Sequence, residues 1–361
     1  MSQRRAKPLV LVDARMARKR RTGIARVINE TWAALVADPP PDIDVEFTHG
    51  PPPLPRRNRL TSVGNLVIDM LWLTVGLPAM ARRKKAALIH APMNWGPLTG
   101  RTPMTVMVQD LAFERMPGEY PTGFRRWASF VGRRTARRAR LVMATTQAGA
   151  HDVEQIYKVP ASRTRVVNLG TLPDHQEERL REPFILAVGE FEPRKRVLQL
   201  MQAHAKYFAE APGAPQLCRL VIAGGGGSQE DEAYRLQGVG CDLLGFVPDQ
   251  DLRELYRRAT LFISLSAYEG FGLPIAEAMA HGCPVMVAAN SSQPEVGGDA
   301  AILIEDDSVD GVARQLIEVL SDREELVARG QASRARADEL TWAATARSTV
   351  AVWREALGIR A

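Results

Sequence analysis

Several features are scarce in this chain of 361 residues, and each scarcity excludes a class of protein. Its three cysteines are widely spaced and form no Cys-x-x-Cys pair, so the sequence supports neither a disulfide framework nor a zinc site. The glycine run Gly224 to Gly227 lacks the Lys-Ser/Thr of a phosphate-binding P-loop. The apolar residues at the N-terminus are too few for a signal peptide, so none is expected.

Apolar strands alternate with helical segments along the chain, which predicts doubly wound, parallel α/β sheets. The length and a hydrophobic content of 45% are sufficient for two cores. We expect Rossmann-like domains at residues 1–172 and 184–340, joined by a polar, proline-bounded linker at 173–183. Residues 341–361 are expected to form an amphipathic helix.

The stretch from Ser266 to Val285 carries the strongest functional signal. It follows a short buried strand, and Glu269-Gly-Phe-Gly272 forces a turn before Pro274 opens a helix. Free N–H groups at that helix start, with glycines that admit a close ligand, suit a diphosphate. Glu269 in the loop and Glu277 in the expected first turn would then accept hydrogen bonds from sugar or ribose hydroxyls. The alternative is an ordinary helix start with glutamate near its dipole.

A second signal follows the predicted strand Phe184 to Val188. Arg194 and Lys195 lie in the loop beyond it, and open α/β sheets bind ligands outside the carboxyl ends of their strands. Two cations there would neutralise charge that develops on a leaving diphosphate. The alternative is a solvated basic turn.

Both segments resemble signatures of the family 4 (group 1) retaining glycosyltransferases, whose GT-B fold has two Rossmann-like domains facing a cleft. Glu269 and Glu277 match that family's E-x7-E motif, and Glu192-Pro-Arg-Lys195 matches its basic segment. The resemblance implies that Glu269 lies near the donor sugar, that Glu277 holds the ribose and that the basic pair contacts the diphosphate. It also implies that the last helix packs back on the first domain. The turn that would meet the hexose and diphosphate consists of Gly270, Phe271, Gly272 and Leu273.

The resemblance extends to other positions. Gly23 lies in a glycine-bearing turn that would admit the diphosphate, and Val247 follows a strand at which the family's backbone holds the nucleobase. Gln109 replaces a histidine that many relatives place near the donor sugar. It can hydrogen-bond a hydroxyl but cannot act as a general base. The neighbouring Asp110 would either bind a sugar hydroxyl or cap its loop, and both readings stay open.

Charge is divided unevenly along the chain. Residues 1–180 hold 29 Lys and Arg against 15 Asp and Glu, whereas the remainder holds 18 against 26. A phosphate-bearing acceptor or an anionic membrane would suit the first half. No nucleic-acid-binding motif accompanies the charge, so nucleic acid is not an expected partner.

The apolar run Leu60 to Met80 is interrupted by polar residues and a proline, which disfavours a transmembrane helix. We expect a buried core helix whose inward residues are Val67, Leu71, Leu73 and Leu77. An interfacial amphipathic helix is the alternative.

Residues and resemblance together predict a retaining hexosyltransferase. Its donor would be GDP-mannose-like or another nucleoside-diphosphate hexose, and its acceptor a hydroxyl of a glycan or of a polyprenyl-diphosphate-linked sugar. Neither a metal nor another cofactor is expected. The enzyme would be cytoplasmic, either free or peripheral on the inner face of the membrane. Alternatives are a non-catalytic sugar-nucleotide-binding subunit and a transferase for a soluble acceptor.

Overall fold

The computed structural model describes residues 7–18, 22–52, 54, 59–174, 180–210 and 217–359, and it divides into two α/β units. Unit 1 contains residues Met1–Leu169 and Trp342–Ala361, and unit 2 contains Gly170–Thr341.

Unit 1 is built on a parallel sheet with strand order β2-β1-β3-β4-β5-β6 in the described part of the chain. Its strands are mostly buried runs of Val, Ile, Leu and Met, as parallel strands covered on both faces require. The elements are β1 Leu9–Asp13, α1 Gly23–Ala37, β2 Asp44–Thr48, α2 Arg59–Leu71, α3 Leu77–Arg83, β3 Leu88–Ala91, β4 Met104–Val108, α4 Ala112–Arg115, α5 Thr122–Arg138, β5 Leu141–Ala144, α6 Gln147–Tyr157 and β6 Thr164–Val166.

Unit 2 has a second parallel sheet, with order β12-β11-β10-β7-β8-β9. The chain builds one half outward from β7 and then returns to β10, which pairs with the other side of β7. The elements are β7 Glu182–Val188, α7 Val197–Glu210, β8 Arg219–Ala223, α8 Glu230–Leu236, β9 Cys241–Gly245, α9 Asp249–Arg258, β10 Ala259–Ser264, α10 Leu273–Ala280, β11 Val285–Ala288, α11 Gln293–Gly297, β12 Ile302–Ile304, α12 Val309–Ser321 and α13 Arg323–Glu339.

The last helix, α14 Trp342–Leu357, belongs to unit 1. Trp353 is buried with its ring centroid 5.3 Å from that of His90 on β3. Arg354 holds Asp42 at 2.7 Å, and Glu355 pairs with Arg165. The expected packing of this helix on the first domain is therefore confirmed.

Residues 173–183, expected as a linker, fall within unit 2. Asp174 is buried and accepts hydrogen bonds from Arg257 at 2.6 and 3.0 Å. Residues 175–179 lie outside the described part of the chain, and Glu182 already belongs to β7.

The apolar run Leu60 to Met80 forms one continuous helical segment, in which a π-helical turn, Trp72–Gly76, joins α2 to α3. Leu73 and Leu77 are fully buried, as expected, but Val67 and Leu71 are exposed, so the prediction was wrong for those two. At about 100° per residue, Leu71 and Leu73 lie about 200° apart around a helix and cannot share its inward face.

We predict that Trp353→Ala lowers the free energy of unfolding of unit 1 by about 3–5 kcal/mol, because it leaves a cavity under α14. Urea unfolding followed by circular dichroism measures the change. Trp32→Ala is the control, since Trp32 is partly exposed on α1. Equal losses in the two variants would contradict the anchoring role of Trp353.

Candidate functional site

The candidate site lies at the carboxyl ends of β7 and β10. These strands are neighbours, but the chain continues from β7 to β8 on one side and from β10 to β11 on the other side of the sheet. The position between β7 and β10, where the direction of the connections reverses, is called the switch point. The loops after the two strands diverge there and leave a crevice, the usual ligand position in an open α/β sheet. The β7 loop contains the 3-10 turn Pro193–Lys195, and the β10 loop runs from Leu265 to Gly272 before α10.

A largely buried ion group joins these two loops. Lys195 Nζ donates to Glu269 Oε1, and Arg194 Nη1 lies 3.7 Å from Glu269 Oε2. The backbone supports the same contact, because Ala267 N donates to the Arg194 carbonyl at 2.7 Å. The Glu269 side chain is 12% exposed. The structure thus brings together three of the residues that the sequence analysis singled out from segments about seventy positions apart.

Glu269 is held in its ionised form. Burial alone would raise its pKa, but the charges of Lys195 and Arg194, with the hydrogen bond from Lys195, lower the pKa below its ordinary value. A carboxylate in this state accepts hydrogen bonds from hydroxyl groups. The two cations beside it suit an anionic ligand group.

The β10 loop is fixed by the segment after β11, whose role the sequence analysis missed. Ser291 and Ser292 donate to the Glu269 carbonyl at 2.6 and 2.9 Å, and Glu269 N donates to Ser291 Oγ at 2.9 Å. Gln293 donates to the Ser266 carbonyl at 2.7 Å. The sequence signals were a run of polar residues directly after a buried strand and a resemblance of residues 292–296 to the glycosyltransferase family's segment at that place.

Helix α10 opens without a side-chain cap. Gly272 precedes it at φ 92°, a left-handed conformation that favours glycine, and its carbonyl accepts from Ile275 N at 2.9 Å. Phe271 and Gly272 are buried, while Gly270 and Leu273 are half-buried. Because Pro274 has no N–H, the backbone N–H of Leu273 is the group in this first turn that could bind an anion at the crevice.

Glu277 lies in the second turn of α10, not in the first as expected, because the helix already begins at Leu273. It is buried, and Tyr256 donates its hydroxyl proton to Glu277 Oε2 at 3.1 Å. The aromatic partner from α9 was not predicted. Glu277 therefore has a different set of neighbours from Glu269, which pairs with the cations.

The glycine run after β8 has a packing role. A Cβ on Gly224 would lie 2.0 Å from the Gly189 carbonyl oxygen, and one on Gly227 would lie 2.5 Å from that of Phe191. Phe191 N in turn donates to the Gly226 carbonyl at 2.9 Å. Glycine lets the β8 loop support the loop that carries Arg194 and Lys195.

Two family models cover most of the chain. Residues 171–336 match "Glycosyl transferases group 1", and residues 23–174 match "Glycosyltransferase Family 4". The first contains the whole ion group described above. The chain belongs to the family 4, group 1 glycosyltransferases.

Two relatives are mannosyltransferases by name. The chain is 31% identical over 225 residues to the O-antigen chain mannosyltransferase B of Escherichia coli, which covers 56% of this chain and 58% of that protein. It is 30% identical over 242 residues to the MMP alpha-(1->4)-mannosyltransferase of Mycolicibacterium hassiacum, covering 64% of this chain and 59% of that protein. The matched region thus spans less than two thirds of either relative.

The fold is similar to that of solved GT-B structures. Sucrose-phosphate synthase from Thermosynechococcus elongatus has a TM-score of 0.75 at 18% identity, covering 98% of this chain and 100% of that chain. The expected GT-B class is confirmed.

In unit 1 of this glycosyltransferase, Gln109 and Asp110 follow β4. The Gln109 side chain donates to the Pro92 carbonyl at 3.0 Å, and its backbone N–H donates to Asn94 Oδ1 at 2.8 Å. Asp110 Oδ1 accepts from Ala112 N at 3.1 Å, which caps the loop, the second of the two roles left open. Asn94 binds the Asp110 carbonyl at 2.6 Å and was not predicted.

The two remaining donor-site candidates are accessible. Gly23 is the exposed first residue of α1, after Thr22 whose hydroxyl caps the helix by accepting from Ala25 N. Val247 is half-buried in the loop after β9, where Gly245 has φ 63°. Their roles as ligand contacts stay predictions.

Two buried histidines are neutral and packed inside the fold. Burial lowers the pKa of His90 to about 3, and its ring is hydrogen-bonded to Thr105 Oγ1 at 3.0 Å. Burial also lowers the pKa of His281, which stacks on Tyr256 with centroids 5.6 Å apart.

Asp13, at the end of β1, is a buried carboxylate that the sequence analysis missed. It accepts from Trp72 Nε1 and from Arg15 N, each at 3.2 Å. Burial raises its pKa more than Arg15 lowers it. An aspartate closing an apolar strand was the available signal.

The chain contains two Asp-x-Asp pairs, in which a single residue separates the aspartates, and this spacing could chelate a metal. Asp42 of the first pair is bound to Arg354 in unit 1, and Asp249 and Asp251 of the second lie in the first turn of α9. In the part of the chain that the structure describes, no three His, Cys, Asp or Glu residues converge as metal ligands.

We predict that the ion group makes stability depend on pH. Because the folded-state pKa of Glu269 lies below its ordinary value of 4.5, the stabilisation is full above that value and is lost as pH falls through the lower folded-state pKa. The free energy of unfolding of the wild type should exceed that of Glu269→Gln by the largest amount near neutral pH, and by progressively less below pH 4.5. Urea unfolding at several pH values measures this difference, with the exposed Glu305→Gln as control. A difference that is constant with pH would refute it.

Proposed function

We propose that this chain is a retaining hexosyltransferase that moves a hexose from a nucleoside-diphosphate sugar to a hydroxyl group of a glycan or lipid-linked acceptor. The observation that carries the proposal is the group Lys195, Arg194 and Glu269 at the switch point of unit 2. It sets two cations and one ionised carboxylate beside the uncapped start of α10. The mannosyltransferase relatives favour mannose as the sugar.

Each part of the group has a chemical task in the proposed reaction. Arg194, Lys195 and the Leu273 N–H at the start of α10 would bind the diphosphate and stabilise the charge that develops as the sugar–phosphate bond breaks. Glu269 would accept hydrogen bonds from the hexose, together with the turn Gly270 to Leu273. Glu277 would accept from the ribose, with its carboxylate oriented by the Tyr256 hydroxyl.

The chemistry of the candidate residues supports retention in this proposal. Glu269 is already compensated by two cations, and Gln109 cannot take a proton. A same-face substitution, in which the leaving diphosphate oxygen accepts the acceptor's proton, therefore fits these residues. In this scheme cations of the protein replace a metal, and no cofactor is required.

The acceptor belongs to unit 1 in this proposal. The excess of Arg and Lys in the first half of the chain supports a polyprenyl-diphosphate-linked or other phosphate-bearing acceptor at the inner face of a membrane. The alternatives are a soluble acceptor and a non-catalytic subunit that binds sugar nucleotides. Transfer to a soluble glycan would favour the soluble acceptor. Donor binding without hydrolysis or transfer would favour the non-catalytic subunit.

We predict that GDP or UDP binds in the presence of EDTA and that Arg194→Ala with Lys195→Ala weakens binding by about 2–4 kcal/mol, since two charge-assisted contacts are lost. Calorimetry measures the affinity. Lys206→Ala with Arg219→Ala is a matched control, because both residues form exposed ion pairs elsewhere in unit 2. Unchanged affinity in Arg194→Ala with Lys195→Ala would overturn the assignment of these residues to the diphosphate. Nucleotide binding that requires a divalent metal would overturn it as well.

A separate prediction assigns different roles to Glu277 and Glu269. Glu277→Ala should weaken nucleoside-diphosphate binding roughly tenfold or more through loss of a charge-assisted hydrogen bond. Glu269→Ala should retain the nucleotide but lower turnover on the order of a hundredfold. Calorimetry and a donor-hydrolysis assay give the two numbers, and a thermal melt checks that each variant is folded. Equal losses of nucleotide affinity would refute the division.

A further inference from the structure

The helical segment Gly64–Arg83 of unit 1 has apolar residues on its exposed face as well as on its buried face. Among its exposed side chains, Val67, Leu71 and Val75 stand four residues apart, with Leu71 58% and Val75 61% exposed. The segment also has the length and mean hydropathy, 1.4, of a membrane-crossing helix. Its opposite face, however, carries Leu73 and Leu77 in the core of unit 1, so lipid cannot surround it.

The polar residues of the same segment are bonded within the protein. Asp69 pairs with Arg15 at 2.8 Å, and Asn65 exchanges two hydrogen bonds with the backbone of Leu54, at 2.6 and 3.0 Å. The Thr74 hydroxyl donates to the Met70 carbonyl at 2.6 Å. A helix at a water-facing surface normally carries polar residues on its outer face, whereas this one exposes Val67, Leu71 and Val75 there. The outer face is therefore suited to an apolar environment.

Helix α5 lies beside this segment. Trp127 Nε1 donates to Met70 Sδ at 3.2 Å, and Arg138 donates to the carbonyl of Gly100, which packs against Pro78 of α3. Both helices contribute to one core cluster, Leu73 and Leu77 from the first and Val131 and others from α5. Their outer faces are consequently neighbours on one side of unit 1.

The outer face of α5 is cationic around an exposed aromatic ring. The helix contains six arginines and no acidic residue. Arg126, Phe130, Arg134 and Arg138 stand four residues apart and are exposed, and Phe130 is 62% exposed. A shallow pocket of about 360 Å³ is lined by Phe130, Arg133, Arg134, Arg137 and Arg138. Arg82 and Arg83 add charge at the end of α3.

We infer that the outer faces of α2–α3 and α5 form a docking surface for an anionic lipid bilayer. Val67, Leu71, Val75 and Phe130 enter the interface between headgroups and acyl chains, and the arginines bind lipid phosphates, while both helices lie in the membrane plane. The inference gives a surface to the membrane partner in the proposed function. Two acidic side chains of these elements are already paired with arginines, Asp69 with Arg15 and Glu114 with Arg133 at 3.1 Å.

Sedimentation with vesicles tests this surface on the full chain. Vesicles of equal parts phosphatidylcholine and phosphatidylglycerol should bind the protein, and phosphatidylcholine alone should bind far less. Binding should weaken as salt rises, because the screening length falls from about 30 Å at 0.01 M to about 8 Å at 0.15 M.

Two paired variants separate charge from apolar contact. Arg126→Glu with Arg134→Glu should lower vesicle partitioning by about 25-fold or more, at about fivefold for each arginine removed. Its control reverses two exposed arginines elsewhere, Arg323→Glu with Arg347→Glu, so the change in net charge is identical. Leu71→Asp with Val75→Asp should lower partitioning by about tenfold or more. Its control is Val36→Asp with Val327→Asp, whose native side chains are 62% and 60% exposed.

A fluorescent probe reports insertion directly. The three native cysteines are buried, so a polarity-sensitive dye attached to Leu71→Cys or to Val327→Cys should label one position. Anionic vesicles should shift the emission of the dye to shorter wavelength at position 71 and leave it unchanged at position 327.

Three results would overturn the inference. These are equal partitioning of each variant and its control, an emission shift at neither position, and a Leu71→Asp with Val75→Asp variant that converts a dimer to a monomer without changing vesicle binding. The last result would assign the apolar face to a second copy of the chain. GDP or UDP binding, measured on every variant, keeps this outcome separate from failure of the proposed function.

Discussion

The compensation of one buried carboxylate is the interaction on which the candidate site depends. Glu269 would be strongly destabilising if it were alone, because a buried charge without a partner costs several kcal/mol. Lys195 and Arg194 compensate it from the neighbouring strand's loop, and Ser291 and Ser292 fix the backbone that carries it. A diphosphate bound to the same cations would offset the positive charge that lowers the pKa of Glu269, so donor binding would raise that pKa. In this proposal, Lys195 and Arg194 serve both the structural ion group and the donor site, because they bind the Glu269 carboxylate and the diphosphate.

The location of this group follows from strand order more than from any single motif. Every strand of a parallel sheet brings its following loop to the same edge, but only at the switch point between β7 and β10 do those loops diverge. Strand ends, glycine turns and basic residues are local signals, and for this reason the sequence predicted that Arg194, Lys195 and Glu269 would lie in the site. Alternation of strands and helices predicted the doubly wound parallel sheets, and the GT-B class followed from the resemblance of two motifs to the family's signatures.

Other features were not predictable because they arise from contacts between distant segments. Tyr256 reaches Glu277 from another helix, and Ser291 reaches Glu269 from beyond the next strand, so neither pair shares a local pattern. The error at Glu277 was one of helix register, since nothing in the local sequence marked Leu273 as the first helical residue. Val67 and Leu71 show a different failure. Hydrophobicity was taken as evidence of burial, although the helical period placed Leu71 on the side of the helix opposite Leu73.

The two charge patterns of the chain act at different ranges. Unit 2 places two cations at its crevice although the second half of the chain has more acidic than basic residues, and a bound phosphate would respond mainly to those nearest guanidinium and ammonium groups. In unit 1 the basic excess is concentrated: six arginines lie on α5 alone, without an acidic residue among them. Such a cluster acts on an extended anionic surface through the sum of its charges, and that sum decays within a Debye length of about 8 Å at 0.15 M salt. Contact with the apolar residues of the neighbouring helix would hold the cluster within that distance, so the arginines and the outward Leu71 and Val75 require one another.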